Sequence, residues 1–324
     1  MLQEIFTPVK KEIASLNKTY KKVLQSNASE VTYVLSKMTL FEGKRIRAAL
    51  VFLSAGITGK INKQTHLSAF GFELLHCTSL IHDDVIDNGQ KRHDQPTLNA
   101  IWNNKIAVLG GDYLLSLCMD FIVQANYTEL LLKLSEVAKL MVCGELRQLK
   151  QSQRQHRVSS KKSYLKTIHY KTAALMSACC EMGAASSTSD NKIIDQWKTF
   201  GEEIGIMFQL KDDLLDYQTD THSSKDAHKD IKEHKITLPF IVAIQQTPIF
   251  EKSKLLELYL HHTGTENEIQ DIIHIVTKRG GIRYTKYLIN NKAENCINFI
   301  NQQKDSKYKK SLLLLVQFIR DQEF

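Results

Sequence analysis

The sequence contains few residues that interrupt helices, with 4 prolines and 14 glycines in 324 residues. Segments that alternate apolar and polar residues between turn signals are also scarce, which argues against a fold built mainly from strands. No internal repeat and no change of composition marks a boundary within residues 1–324. We therefore predict an all-α protein with a single domain, large enough to bury a substantial core.

The 6 cysteines form no Cys-x-x-Cys pair and mostly lie in apolar helical stretches. This distribution predicts buried thiols in a reducing compartment. The N-terminus lacks the apolar segment of a signal peptide, and no apolar run approaches the roughly 20 residues that a membrane span needs. The sequence therefore predicts a cytoplasmic protein without stable membrane insertion.

The formal net charge is +8, which is only a mild basic bias. A basic pocket for an anionic substrate explains this bias as well as nucleic acid would, and we expect no nucleic-acid partner.

One acidic motif follows an unusually apolar stretch, where Asp83, Asp84 and Asp87 come directly after His82. On a helix, Asp83 and Asp87 share one face. Like charges about 4 Å apart repel by roughly 4 kcal/mol per pair at an effective dielectric constant near 20. Such a group is stabilised either by protonation or by a bound cation.

A second acidic motif, Asp212, Asp213 and Asp216, repeats the same spacing after another apolar helical run. Two such motifs at the ends of buried helices are expected to face one another across a bundle. Carboxylate oxygens with open coordination positions suit Mg²⁺, which also binds phosphate oxygens. A solvated helix face remains the alternative for either motif alone.

Basic residues occur where they can meet phosphate. Gly43–Arg47 contains three cations at the predicted start of a helix, a pattern that suits a diphosphate. The segment 219–235 follows the second acidic motif, has no apolar periodicity and reads as a mobile lid.

Seven motifs, in order, resemble the trans-prenyltransferases, the polyprenyl diphosphate synthases, over nearly the whole chain. They are Gly43–Arg47, His76, Asp83–Asp87, Arg92-His93, Lys171-Thr172, Phe208–Asp216 and Lys229–Pro239. The resemblance implies an all-α bundle around a deep central cavity, usually a homodimer. It also implies head-to-tail condensation of isopentenyl diphosphate onto an allylic diphosphate such as farnesyl diphosphate, giving all-trans products.

The resemblance also implies roles for individual residues. The metal ligands would be Asp83, Asp84, Asp87, Asp212, Asp213 and Asp216, with about three Mg²⁺ ions when substrate is bound. The allylic substrate would be held by Arg92, Lys171, Thr172, Gln209, Lys225 and Lys235. Isopentenyl diphosphate would be held by Lys44, Arg47, His76 and His93. Two residues depart from the family pattern: His93 stands where a second arginine is usual, and His234 replaces a common glycine.

Product length is expected to depend on small side chains one turn before Asp83, namely Thr78 and Ser79. Because neither is bulky, a growing chain should pass them, and products of roughly C30–C40 are predicted. Leu75 is the bulky residue further back, and Phe72 or Met119 is expected to close the tunnel. A short-chain farnesyl or geranylgeranyl diphosphate synthase is the alternative.

Other classes fit fewer of these residues. Glu73-x-x-His76 is a di-iron helix motif, but a second copy is missing from the sequence. A His-Asp metal phosphohydrolase would leave the second acidic motif unexplained, and a class I terpene cyclase normally carries a different second metal motif. A non-catalytic subunit would be expected to lack some of the aspartates, and none is missing.

Overall fold

In a computed structural model of the chain, residues 2–26, 33–34, 43–92, 95–152, 158–218 and 228–321 are described, and they are almost entirely helical. The all-α prediction is confirmed. A two-stranded hairpin, β1 (Lys91–Arg92) and β2 (Gln95–Pro96), follows the first acidic motif. The described helices are α1 (Leu2–Phe6), α2 (Lys10–Ser26), α3 (Ile46–Thr58), α4 (Lys63–Ile86), α5 (Leu98–Ile101), α6 (Asn104–Gln124), α7 (Thr128–Ser152), α8 (Lys161–Ile168), α9 (Ala174–Ala185), α10 (Asn191–Leu215), α11 (Lys229–Lys232), α12 (Leu238–Gln246), α13 (Ile249–His261), α14 (Glu266–Lys278), α15 (Gly281–Asn301) and α16 (Lys307–Asp321).

Helix α4 carries the first aspartate motif through the core. It begins at a capping box in which Asn62 and Thr65 satisfy each other's backbone N–H groups. Most residues from Thr65 to Thr78 are buried, so packing on all sides stabilises the helix. Exposure increases only in the last turns, where the aspartates stand.

Helix α10 carries the second aspartate motif and packs closely against α9. A Cβ atom on Gly201 would lie 2.6 Å from the carbonyl oxygen of Met176, so only glycine permits this approach. One turn before Gly201, the buried Trp197 packs edge-on against Phe200 and Phe299, at centroid distances of 5.2 and 5.1 Å. These contacts fix α10 between α9 and α15.

A smaller apolar cluster lies beside residues 228–235, the described end of the predicted lid segment. It is built from side chains of α11 to α14 around Tyr259 and Phe240, whose rings stack at 3.8 Å. The Tyr259 hydroxyl donates to the backbone carbonyl of Lys235 at 2.6 Å. The cluster therefore holds the C-terminal end of the lid in place.

Helix α6 corrects the expectation that no apolar run approaches the length of a membrane span. Within the described residues it is the one helix long and apolar enough to cross a membrane, with a mean hydropathy of 1.8 over its most apolar window. Asp112, Ser116 and Asp120 interrupt the apolar run, which hid it in the sequence, but the average remains high. In the structure only a third of that window is buried, so α6 presents a broad apolar face outside the core.

We expect Gly201→Ala to lower the free energy of unfolding by about 1–3 kcal/mol, because the added methyl group forces α9 and α10 apart. Gly43→Ala is the matched control, since nothing lies within 4 Å of a Cβ atom at that position. Denaturant unfolding of both variants measures the difference, and equal stability would contradict the close packing at Gly201.

Candidate active site

The two aspartate motifs stand at the C-terminal ends of α4 and α10, and one lysine links them. The pKa of Lys235 is raised mainly by Asp230 and Glu233, with a further contribution from Asp87 of the first motif. Burial raises the pKa of Asp212 in the second motif, and the same lysine partly opposes that rise. The two motifs are therefore close enough to share the field of one cation, as their spacing predicted.

Asp83 lies beside Lys171, which comes from a different part of the chain. Burial raises the pKa of Asp83 to about 6, and Lys171 opposes that rise. Lys171 sits in a π-helical turn, His169–Ala173, of a kind often found at functional sites. Its ammonium group pairs with Glu145 at 2.6 Å and donates to Gln148 at 3.2 Å. Gly144 lets the backbone of the π-helical turn approach α7, because a Cβ atom on Gly144 would lie 2.7 Å from the backbone nitrogen of Lys171.

Asp84 has a different environment from its neighbours in the motif. It is buried, and both of its oxygens accept from Arg92 at distances of 2.8 to 3.2 Å. Arg92 was predicted to hold the allylic substrate, whereas here it neutralises a carboxylate of the motif. Binding of metal or substrate by either residue requires this pair to rearrange.

The second motif belongs to a chain of hydrogen bonds. Thr172 donates to the Gln209 carbonyl oxygen at 2.8 Å, and the Gln209 amide donates to Asp213 at 2.8 Å and to Asp212 at 3.2 Å. The buried Tyr164 hydroxyl also donates to Asp213. The predicted Thr172 and Gln209 therefore position the aspartates, with help from a tyrosine that carried no recognisable signal in the sequence.

Asp216 anchors the lid helix α11. One of its oxygens accepts the backbone N–H of Asp230 and, at 3.1 Å, that of Ile231. The His228 ring nitrogen Nδ1 also lies 2.6 Å from the Asp216 carbonyl oxygen. The same bonds bring Asp230 up to the motif, so the second site has a fourth carboxylate that was not among the predicted ligands.

The electrostatics of the second motif favour a bound cation. Burial, followed by the charge of Asp230, raises the pKa of Asp212 to about 6, of Asp213 to about 8 and of Asp216 to about 7. Each shift reports a carboxylate that loses hydration and faces other negative charge. A divalent ion would remove this penalty.

The carboxylates fit Mg²⁺ as an open site. Among the described residues, no group of three or more histidine, cysteine or acidic side chains is arranged to hold a metal ion by itself. Mg²⁺ commonly binds through one or two carboxylates and completes its octahedron with water and substrate phosphates. Asp83 of the first motif and the three aspartates of the second, whose pKa values burial raises, meet that requirement.

Two of the four predicted isopentenyl diphosphate residues, Arg47 and His76, come together. Arg47 Nη1 lies 2.9 Å from His76 Nε2, and burial together with nearby arginines holds the pKa of His76 well below its usual range. Behind them, buried Glu73 accepts from Arg45 at 3.1 Å and from the Ala48 backbone at 3.0 Å. Glu73 therefore fixes the start of α3, from which Arg47 projects.

Comparison with known proteins agrees with this geometry. The polyprenyl synthetase family profile matches residues 29–276. This chain belongs to the polyprenyl synthetase family. It is 31% identical, over 98% of its length and 97% of the relative's, to an all-trans-nonaprenyl-diphosphate synthase (geranyl-diphosphate specific) of Rhodobacter capsulatus. It is 30% identical to heptaprenyl diphosphate synthase component 2 of Bacillus subtilis, over 87% of this chain and 80% of that protein.

Solved structures of this family share the fold. A polyprenyl synthase from Caulobacter crescentus, crystallised with calcium and isoprenyl diphosphate, superposes with a TM-score of 0.88 at 26% identity, over 99% of this chain and 98% of that one. A heptaprenyl diphosphate synthase from Staphylococcus aureus gives a TM-score of 0.82 at 28% identity, over 97% and 98% of the two chains.

The remaining residues that the family resemblance singled out differ in where the structure places them. His93 and Lys225 lie outside the described residues. Lys44 is exposed beside the ring of Phe318. His234 has a positive φ of 56°, a conformation that favours glycine, which accounts for the usual residue at this position. Its ring nitrogen Nδ1 lies 3.0 Å from the carbonyl oxygen of Tyr259.

The predicted chain-length residues divide into two groups. Leu75 and Phe72 are buried, as is Thr78, whose hydroxyl faces the Gly111 carbonyl oxygen of α6 at 3.5 Å. Ser79 is half-buried near the aspartates and donates to the carbonyl of His76. The small size of Thr78 is therefore explained by close packing of α4 against α6.

The position of Met119 does not fit the prediction that it closes the tunnel. It is exposed on the outer side of α6, so it does not close a tunnel within this chain. The inner face carries Cys118 and Ile122 instead, and with Leu134 these surround the position where Gly71 would carry a Cβ atom. Sequence distance placed Met119 at the right depth, but the helical repeat turns it outward.

We expect the stability of the metal-free protein to fall as pH rises from about 5 to 8. In this range the folded Asp213 retains a proton that the unfolded chain has lost, because its pKa is about 8 in the fold. Asp213→Asn should flatten the curve and be about 2 kcal/mol more stable than the parent near pH 8. Urea unfolding in EDTA measures the free energy of unfolding of both proteins across this pH range. Asp195→Asn, at an exposed position of the same helix, is the control, and parallel curves for parent and Asp213→Asn would contradict the assignment.

Proposed function

We propose that this chain is a Mg²⁺-dependent prenyltransferase that condenses isopentenyl diphosphate head-to-tail onto an allylic diphosphate. The observation that carries this proposal is that both aspartate motifs lie in the field of Lys235, with raised pKa values at Asp83 and at all three aspartates of the second motif. Such a site is built to hold cations against a diphosphate. Family membership supports the reaction class, and about three Mg²⁺ ions would engage the substrate.

Asp83, Asp87 and Asp212 would hold Mg²⁺, which when bound would supply the positive charge that lets the allylic C–O bond of the substrate ionise. The chain supplies positioning and positive charge. Lys171 and Lys235 would contact the leaving group after exchanging their carboxylate partners for phosphate oxygens. Arg47 would hold isopentenyl diphosphate, while the neutral His76 keeps the guanidinium in place. The double bond attacks the cation, and the proton lost afterwards passes to the released diphosphate.

We propose products in the C30–C40 range, as the sequence suggested. The relative named as a heptaprenyl diphosphate synthase, with a C35 product, supports this range, and the nonaprenyl relative, with a C45 product, favours a longer chain over the short-chain alternative. Within the chain, the support is the small half-buried Ser79 beside the first motif. Thr78 contributes less, because its size serves helix packing.

We propose that two copies form a homodimer through α6 and α7. Apolar side chains exposed on these helices include Leu109 at 66% and Leu132 at 67%, and the set continues with Val108, Met119, Val123, Val142 and Leu146. A face of this size on a single chain indicates a protein interface. The Bacillus relative is named as one component of a synthase, so a different partner subunit is the second candidate for this face.

The reaction is tested with purified protein, Mg²⁺, isopentenyl diphosphate and either farnesyl or geranyl diphosphate. We expect diphosphate release in step with chain growth, and all-trans products of about C30–C40. Asp83→Asn and Asp212→Asn should each lower turnover by several orders of magnitude, since each removes a carboxylate that holds the ions. Asp195→Asn should retain activity. Phosphate release without carbon–carbon bond formation would contradict the proposal and favour a phosphohydrolase.

The dimer is tested by light scattering after size-exclusion chromatography. We expect the parent to have the mass of two chains and Leu109→Asp/Leu132→Asp to shift toward one chain, because charge at the centre of an apolar interface opposes association. Ile249→Asp is the control, being apolar and even more exposed but remote in sequence from this face. A monomeric parent, or a double variant that remains dimeric, would overturn this interface.

A further inference from the structure

Two apolar side chains project from the surface at the start of α13. Ile249 and Phe250 follow Pro248 and are 85% and 80% exposed, more than any other large apolar side chains among the described residues. Single exposed apolar residues are common, but two adjacent ones at a helix start form a small protruding tip. We call Ile249 and Phe250 the apolar tip.

A basic pocket of about 620 Å³ lies between α12, the end of α14 and the start of α15. Its charged lining residues are Lys278, Arg279 and Arg283, and its aromatic ones are Tyr284 and Tyr287. Lys161 adds a further cation, with its ammonium group 4.6 Å from the centre of the Tyr284 ring. The Tyr287 side chain is 62% exposed at the rim.

Positive charge in this pocket is only partly compensated. Arg279 pairs with Glu251. In the part of the chain that the structure describes, no carboxylate forms an ion pair with Lys278 or Arg283, both of which are exposed. The pocket therefore presents at least two cations to an external anion.

The apolar tip and the basic pocket form one continuous surface. Gln246 lines the pocket and precedes Ile249 by three residues, which can span at most about 11 Å. The Arg279–Glu251 pair joins the pocket wall to the residue that follows Phe250. The surface is distinct from the aspartate motifs, because α12 separates Gln246 from the lid by about 13 Å of helix.

We propose that this surface docks the protein on an anionic lipid bilayer. The apolar tip would enter the interfacial region, Lys278 and Arg283 would bind lipid phosphates, and Tyr287 would lie at headgroup level, where tyrosine is enriched. Reversible attachment commonly needs an apolar and a basic signal together, and both are present here. A peptide partner fits less well, because the apolar element protrudes and offers no groove.

Docking itself does not depend on the proposed reaction. If both hold, the protein would release an amphiphilic diphosphate with a long hydrocarbon tail next to the membrane that dissolves it. The consumer of this product would then be an enzyme class that acts at a bilayer.

The experiment is co-sedimentation of the full-length protein with vesicles, without substrate. We expect binding to phosphatidylcholine vesicles that contain phosphatidylglycerol, little binding to phosphatidylcholine alone, and loss of binding as salt rises. Ile249→Ser/Phe250→Ser and Lys278→Glu/Arg283→Glu should each weaken binding by about tenfold or more. Lys304→Glu/Lys310→Glu makes the same change of net charge at exposed positions elsewhere and should bind like the parent.

All three double variants are at exposed positions, and their circular dichroism and thermal unfolding should match those of the parent. Failure of the parent to bind anionic vesicles, or equal binding by all variants, would overturn the proposal. A site for soluble anions would also overturn it. Such a site would be shown if inorganic diphosphate raised the Tm of the parent, but not that of Lys278→Glu/Arg283→Glu, while vesicles had no effect. Turnover in detergent is measured in parallel, so that a failed reaction and failed docking are distinguished.

Discussion

The structure depends on placing many carboxylates in one partly desolvated region. Buried helices bring two aspartate motifs to the same place, and the lid adds Asp230. Burial and mutual repulsion raise the pKa values of four of these aspartates to between about 6 and about 8. This arrangement has a cost in stability without bound cations. It is tolerated because the rest of the fold is stable enough to hold the groups in place.

The surrounding contacts give the carboxylates different roles. Asp84 is neutralised by Arg92, and Asp216 caps the lid helix, so neither faces the cleft as an independent charge. Asp213 is held by Tyr164 and Gln209. Asp83, Asp87 and Asp212 are therefore the residues best placed to respond to metal. Their neighbours Lys171 and Lys235 already have carboxylate partners, which phosphate oxygens can replace when substrate arrives.

Much of the fold and the centre of the site could be predicted from the sequence. Long apolar helices ending in Asp-Asp-x-x-Asp require a location at the edge of a core, whatever the topology. The partners of these residues could not be predicted in the same way. Glu145 and Tyr164 reach the site from other helices, and no spacing in the sequence connects them to Lys171 or Asp213.

Small and apolar residues were the hardest to interpret. Thr78 can be small to admit a product chain or to let two helices approach, and only the contact with Gly111 shows the second use. Met119 lies at a plausible depth in the sequence, yet one residue of helical rotation separates it from the inner face occupied by Cys118. The apolar run of α6 was interrupted by aspartates, so its outward face became visible only in three dimensions.

The central claim is that the two motifs bind cations together with a diphosphate. Isothermal titration of the protein with Mg²⁺, in the presence and absence of inorganic diphosphate, tests it most directly. At pH 6.5 we expect tight binding of more than one ion per chain only with diphosphate present. Protons should be released to the buffer at the same time, because aspartates with raised pKa values ionise as the metal binds. Equal Mg²⁺ affinity without diphosphate, with no proton release, would contradict this account.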